Sequence, residues 1–300
     1  PSFQGAADPC DFRFIDGGNV PDRRAANCAA AGIVQPFQSA VYDFGRQGVS
    51  SGNPDLENET ADAYTYGIVW RPGFAEGLVM SVDYLDYSIK DAISFLSLGE
   101  LMEACYDSAA FPDEPACDRF SRDASGQVEN GFRSGYENLD AIEASGVQTV
   151  ASYSLGLEQY GSLRLDLNYY RSLEGVVLSG ERNPIDRAGV IGFSKDQVTA
   201  SALWSVGDWS LHGQARYLSS AVFDKADDEF TRDVRGVSSW TVVNAAVSYH
   251  FGEDTLLQFN VNNLFDVDPP YGALANFLGS TTYYAGIIGR TARLTVRTHF

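Results

Sequence analysis

The last ten residues, Thr291 to Phe300, alternate almost without fault. Successive side chains of an extended strand point to opposite sides. Ala292, Leu294, Val296, Thr298 and Phe300 therefore share one face, and Arg293, Thr295, Arg297 and His299 the other. Two arginines and a histidine on one face do not suit a dry core. The pattern suits a wall between lipid and water, as in a strand of a membrane β-barrel.

Eight earlier runs repeat the alternation, over Tyr64–Trp70, Leu78–Tyr84, Val147–Leu155, Leu163–Tyr169, Val198–Val206, Leu211–Tyr217, Val243–Phe251 and Leu257–Val261. Their polar positions include Arg164, Asp166, His212, Arg216 and His250. A soluble sandwich would carry small hydroxyls and lysines outside and bulkier apolar residues within. The connections alternate too. Short turns follow the first, third, fifth and seventh runs, and long loops follow the second, fourth, sixth and eighth. Short turns at one end and long loops at the other predict an antiparallel transmembrane β-barrel with its loops outside the cell. No stretch approaches the roughly 18 apolar residues of a membrane helix.

The net charge of −19, from 40 acidic and 21 basic residues, argues against a nucleic-acid partner. The 29 glycines, 18 phenylalanines and 16 tyrosines suit turns and interfacial aromatic girdles. No signal peptide is visible, and the chain starts at Pro1. It reads as a piece of a longer exported protein. The cysteines form two local pairs, Cys10 with Cys28 and Cys105 with Cys117, with no histidine near them. Two disulfides in an oxidising compartment are expected rather than a zinc site.

The first sixty residues read as irregular, an extracellular loop region, with residues 61–300 forming the barrel portion. Ser97-Leu98-Gly99-Glu100 reads as a capping box opening a helix through Leu101, Met102 and Cys105. A second helix is expected from Asn19 to Ala31, with Pro21 in its first turn.

Before the first run stands Gly52-Asn53-Pro54-Asp55-Leu56-Glu57-Asn58-Glu59-Thr60, then Tyr64-Thr65-Tyr66-Gly67 and Trp70-Arg71-Pro72. Near the end stands Val261-Asn262-Asn263-Leu264-Phe265-Asp266, then Pro269-Pro270-Tyr271. With the terminal Phe300, these resemble the carboxy-terminal part of a TonB-dependent outer-membrane receptor. Asn58 departs from the family, which usually has proline there. The stretch Asn27-Cys28-Ala29-Ala30-Ala31-Gly32 and the cysteine-bearing loops resemble receptors of Gram-negative bacteria with many such paralogues.

The resemblance covers about residues 50 to 300 and implies a 22-stranded barrel with a plugged lumen, of which these are the last nine strands. The polar face, including Arg164, Asp166, His212, Arg216, His250, Arg293, Arg297 and His299, would then look into the lumen. Phe300 would be the assembly signal read by the barrel assembly machinery. The family's plug and Ton box are not found here, so this chain alone is not expected to drive active transport. The implied partners are outer-membrane lipid, the TonB complex acting through a plug, and a small-molecule or glycan ligand. The missing amino-terminal part or a surface lipoprotein is a further expected partner.

No bond chemistry, cofactor or metal site is expected. Asp266 and Asp268 are spaced like a metal pair but lie in the family's turn motif, where Asn and Asp suit the backbone. The loop aromatics Tyr106, Phe111, Phe120, Tyr136, Phe223, Phe230, Tyr271, Tyr283 and Tyr284 are the candidates for stacking on a ligand. The competing reading is that most of them pack the loops together. The function expected is uptake of a siderophore, cobalamin, haem or glycan. A passive porin or autotransporter anchor, and a soluble secreted carbohydrate-binding β-protein, are its rivals.

Overall fold

A computed structural model describes residues 2–17, 20–138, 141–179, 182–223, 225, 234–252, 254–270 and 288–299. In chain order the first elements are β1 (Ser2–Gln4), α1 (Pro21–Ala30), α2 (Ala40–Phe44), β2 (Arg46–Ser51), β3 (Thr60–Trp70), β4 (Leu78–Lys90), β5 (Ile93–Leu96), α3 (Leu98–Asp107) and β6 (Phe132–Asn138). There follow β7 (Ala141–Gly156), β8 (Ser162–Ser179), β9 (Arg182–Asp186), β10 (Asp196–Val206), β11 (Trp209–Leu218), β12 (Ala221–Val222), β13 (Gly236–Val237), β14 (Trp240–Phe251), β15 (Thr255–Asn262) and β16 (Thr291–Thr298). The protein is all-β in class, and no helix among the described residues is long and apolar enough to cross a membrane, which says nothing about strands.

The chain divides into two compact units. The larger comprises residues 63–87, 144–176 and 186–300. Its sheet runs in the order β16-β15-β14-β11-β10-β8-β7-β4-β3, with β9 beside β8. These are the nine strands that the alternating runs predict, each paired with its neighbour in sequence. Several outrun their apolar pattern: β4 continues to Lys90 and β8 to Ser179. β16 ends at Thr298, and just beyond it the His299 N–H donates to the Asp254 carbonyl at 2.9 Å, in register with the β15–β16 ladder.

The pairing from β8 to β16 is antiparallel and unslipped. At the short-turn end Gly207 and Asp208 alone join β10 to β11. Gly161 closes the turn before β8 with φ of +84°, and a Cβ there would stand 1.9 Å from the Ser205 carbonyl oxygen. Only glycine meets both conditions.

The other unit comprises residues 1–62, 88–143 and 177–185. The first sixty residues, expected to be irregular apart from one helix, contribute β1, α1, α2 and β2 to it. Its sheet runs β1-β2-β6-β5, with β2 and β6 parallel. Parallel pairing joins segments distant in sequence, which a local reading of the chain does not register. Both predicted helices form. Pro21 opens α1, and the Ser97 Oγ accepts the Glu100 N–H while the Glu100 carboxylate accepts the Ser97 N–H.

The core of this unit holds Val41, Leu98, Leu101, Met102, Val128 and Phe132, all essentially inaccessible to water. Phe132 packs its ring on Gly48, where a Cβ would come within 2.5 Å of it. Disulfides join Cys10 to Cys28 and Cys105 to Cys117 across separations of 18 and 12 residues. A unit with so small a core leans on such links, each worth about 3 kcal/mol for loops of this length. Replacing Cys105 and Cys117 with serine is expected to lower the unfolding free energy of this unit by about 2–4 kcal/mol. Chemical denaturation followed through its aromatic near-ultraviolet signal checks this.

Candidate functional site: a two-faced sheet and its loops

Unslipped pairing carries the alternation of each strand across the sheet. Leu167, Ala200, Ala215 and Val243 form one row, and Trp209, Tyr249, Leu257 and Val296 another, all on one face. Near the short-turn end of that face the Trp209 and Tyr249 rings lie 4.7 Å apart, and Tyr249 meets Phe251 at 4.5 Å. Leu294 and Val296 are more than half exposed. A continuous apolar surface of this extent is unfavourable against water and favourable against hydrocarbon.

The opposite face is polar along the same rows. Asp166, Ser201, Gln214 and Asn244 stand opposite one another in turn, as do Asn168, Thr199 and Arg216. The row from Arg164 runs through Leu203, His212, Ala246 and Asn260 to Arg293. His250 and Arg297 flank Leu256. Asp166 bonds the Arg164 guanidinium at 2.9 Å and accepts the Ser152 hydroxyl at 2.8 Å. Of the eight polar residues named from sequence, the seven within strands lie on this one face of the sheet, and His299 follows the end of β16. Phe300 falls outside the described residues.

The Asn262-Asn263-Leu264-Phe265-Asp266 motif is a turn built from side-chain amides. Asn263, buried with φ of +52°, accepts the Val267 N–H through Oδ1 and donates Nδ2 to the Val267 carbonyl, both at 2.9 Å. Asp266 Oδ1 accepts the Arg290 N–H at 2.7 Å, tying the turn to the approach to β16. The motif's chemistry is spent on backbone groups.

Of the loop aromatics, Tyr106 is a core residue. Its ring stacks on Phe111 at 5.6 Å and meets Phe120 at 6.1 Å, and its hydroxyl accepts from Arg122 Nε at 2.8 Å. Burial raises the tyrosine pKa, against the opposing pull of Arg122. Arg122 in turn holds Asp8 with two bonds of 2.7 Å, and Arg24 holds Asp107 with two of 2.6 Å. Burial works against the Arg24 charge, but bonding to Asp107 outweighs it and raises the arginine pKa. Tyr136 is about half exposed and sits edge-on to Phe95 at 5.4 Å. Phe223 packs beside the cluster of Leu218, Val237 and Trp240. Phe230, Tyr271, Tyr283 and Tyr284 lie outside the described residues.

An aromatic group that sequence reading passed over surrounds Arg13. Its guanidinium carbon lies 4.6 Å from the Tyr42 ring centroid, 5.6 Å from Phe14 and 5.9 Å from Phe12. The alternation Phe12-Arg13-Phe14 was the available signal. Asp11 fixes the arginine through Nε at 2.8 Å and Nη2 at 2.7 Å, and also accepts the Ser39 N–H at 2.7 Å. Burial pushes the Asp11 carboxyl up, but the Arg13 and Ser39 donors prevail and hold it below the ordinary carboxylate range.

Residues 30–264 match the family described as TonB dependent receptor-like, beta-barrel. The chain belongs to that family. Among solved structures it is similar to the ferric enterobactin receptor of Pseudomonas aeruginosa, at 17% identity and a TM-score of 0.55, over 84% of this chain and 32% of that one. It is similar as well to the siderophore receptor PirA of Acinetobacter baumannii, at 16% identity and 0.54, over 84% and 33%. The FrpB iron transporter of Neisseria meningitidis gives 16% and 0.50, over 84% and 32%. The chain spans about a third of the length of these proteins. No curated protein sequence matches it.

Stability supplied by Asp11 is complete above the unfolded carboxylate value of about 3.9 and disappears as pH falls through the lowered folded value. Asp11→Asn is therefore expected to destabilise at pH 7, with the difference from the parent narrowing as pH falls below the unfolded carboxylate value of about 3.9. Denaturation midpoints measured between pH 7 and pH 2.5 check this.

Proposed function

We propose that the chain is the carboxy-terminal barrel portion of an outer-membrane, TonB-dependent receptor. It captures a scarce nutrient on its long-loop side, and the complete receptor passes the nutrient inward with energy from the TonB complex. The observation that carries this reading is the continuous division of the sheet from β8 to β16 into an apolar and a polar face, together with membership of the family. The apolar face meets lipid, and Arg164, Asp166, His212, Arg216, His250, Arg293 and Arg297 look into the lumen.

The nutrient proposed is an iron–siderophore complex, for which the names of the structurally similar proteins are the support. Tyr136 and the group of Phe12, Phe14 and Tyr42 about Arg13, within the smaller unit, are aromatic surfaces proposed to meet it. The reaction is capture and passage, with no bond made or broken in the ligand. The terminal Phe300 is proposed as the barrel assembly signal.

Deleting the gene is expected to abolish uptake of at least one radiolabelled ferric siderophore by intact cells under iron limitation, with the protein recovered in the outer-membrane fraction of the parent. Unchanged uptake of ferric siderophores, haem, cobalamin and glycans in the deletion strain would contradict the reading. So would recovery of the chain in the aqueous phase after detergent partitioning.

A further inference from the structure

Carboxylates are distributed unevenly over the strands of the larger sheet. β3, β4, β7, β8 and β10 each carry at least one Asp or Glu. β11, β14, β15 and β16, which lie side by side in the sheet, carry none on either face. In a chain of net charge −19, four neighbouring strands without a carboxylate are a marked local reversal. They hold His212, Arg216, His250, Arg293 and Arg297 instead, and the register puts all five on the polar face.

These groups form a spread array. His212 and Arg293 share one row, three strand intervals apart, which is about 14 Å. Arg293 and Arg297 stand four residues apart on β16, again about 14 Å. His250 is two intervals from Arg297 in the row through Leu256, about 10 Å. The row between holds Ser210, Ser248, Gln258 and Thr295, hydroxyls and an amide that both donate and accept.

The arginines have no carboxylate of their own. Among the described residues none of Arg216, Arg293 and Arg297 forms an ion pair. Arg293 and Arg297 are exposed. Asp166, which lies in the next row on β8, is taken up by Arg164 and Ser152. Asp208 and Asp254, in the short turns, border the array at its lower end. The connection from β11 to β14 carries five acidic residues outside the described ones, and it leaves from the long-loop end, away from the rows of Arg293 and Arg297.

We infer that this half of the polar wall is the seat of an acidic polypeptide surface, a segment of the complete receptor outside these 300 residues whose carboxylates meet Arg293 and Arg297. The inference rests on the receptor reading for the polar face being turned to the lumen. The span of the array decides for a polypeptide. Cations about 14 Å apart, with hydroxyls and amides between them, match several carboxylates and backbone groups on one surface, which a mono- or dicarboxylate does not supply. Arginine binds a carboxylate through two parallel N–H groups, so the contact fixes orientation as well as charge. The acidic side of the segment then lies against β11 to β16 rather than against β8, where Asp166 stands. In the similar receptors about two thirds of the length lies outside the part matched, which is ample for such a segment.

The complete receptor encoded by the gene is produced in cells with Arg293→Lys and, separately, Arg297→Lys, and outer membranes are treated with a water-soluble carbodiimide, which joins an amine to a carboxylate in contact with it. Mass spectrometry is expected to find position 293 or 297 coupled to an Asp or Glu of the same polypeptide outside these 300 residues. The Lys225–Asp186 pair serves as the internal positive control. Coupling of that pair alone, coupling only to carboxylates within the 300 residues, or coupling only to a separate polypeptide would overturn the inference. A second measurement uses Arg293→Glu/Arg297→Glu. Sensitivity of the cells to vancomycin, which a filled barrel excludes, is expected to rise at least about tenfold, the equivalent of one lost charge-assisted bond. Unchanged sensitivity with normal amounts of the variant in the outer membrane would overturn it, and if the variant does not reach the membrane the coupling result decides. If siderophore uptake is intact but no coupling leaves the 300 residues, the seat is wrong and the receptor reading stands. If coupling is as expected while deletion of the gene leaves uptake of every nutrient unchanged, the transport reading is wrong and the seat stands.

Discussion

Strand side chains alternate, and antiparallel pairing without slippage turns the alternation of single strands into the two faces of a sheet. Everything else about the larger unit depends on that register. A one-residue slip between β10 and β11 would place His212 and Arg216 among Leu167 and Val243, and the division of faces would fail from there to β16. The short turns protect the register. Gly207-Asp208 and the Gly161 turn leave no slack for a slip, whereas the long loops tolerate great variety at the opposite end.

Among the described residues the sheet ends on β3 and β16, and with one apolar face and two such edges it is incomplete in water and in lipid alike. Its apolar face calls for hydrocarbon, and the edges at β3 and β16 carry backbone groups that need partners. Family membership supplies the way such sheets satisfy both demands, by closure into a barrel. The smaller unit meets a different demand. It has little apolar material, so two disulfides, the Arg24–Asp107 pair and the Arg122–Asp8 pair hold segments that lie as far apart in sequence as residues 8 and 122. Removing one partner of such a buried pair leaves a charge without compensation, at a cost of about 3–5 kcal/mol.

The nine strands were legible in the sequence because their signal is local: period-two alternation followed by a turn. The capping box at Ser97 and Glu100 and the proline start at Pro21 were legible for the same reason. The smaller unit was not, since its core joins Val41 to Leu101 and Phe132, and β2 to β6 in parallel, through contacts that leave no periodic mark. Tyr106 shows the limit well. Its loop position suggested a ligand, yet three residues of the same long loop, Phe111, Phe120 and Arg122, fold back over it.

The central claim is that one face of the sheet meets lipid and the other does not. Nitroxide labels placed singly at Leu165, Leu167, Ala245 and Phe259, and at Asp166, Asn168, Asn244 and Gln258, test it in bilayers by paramagnetic relaxation with oxygen and with a water-soluble nickel complex. The account predicts that the first four favour oxygen and the second four do not, alternating residue by residue along β8. Equal accessibility of both sets, or nickel preference at Leu165 and Phe259, would contradict it.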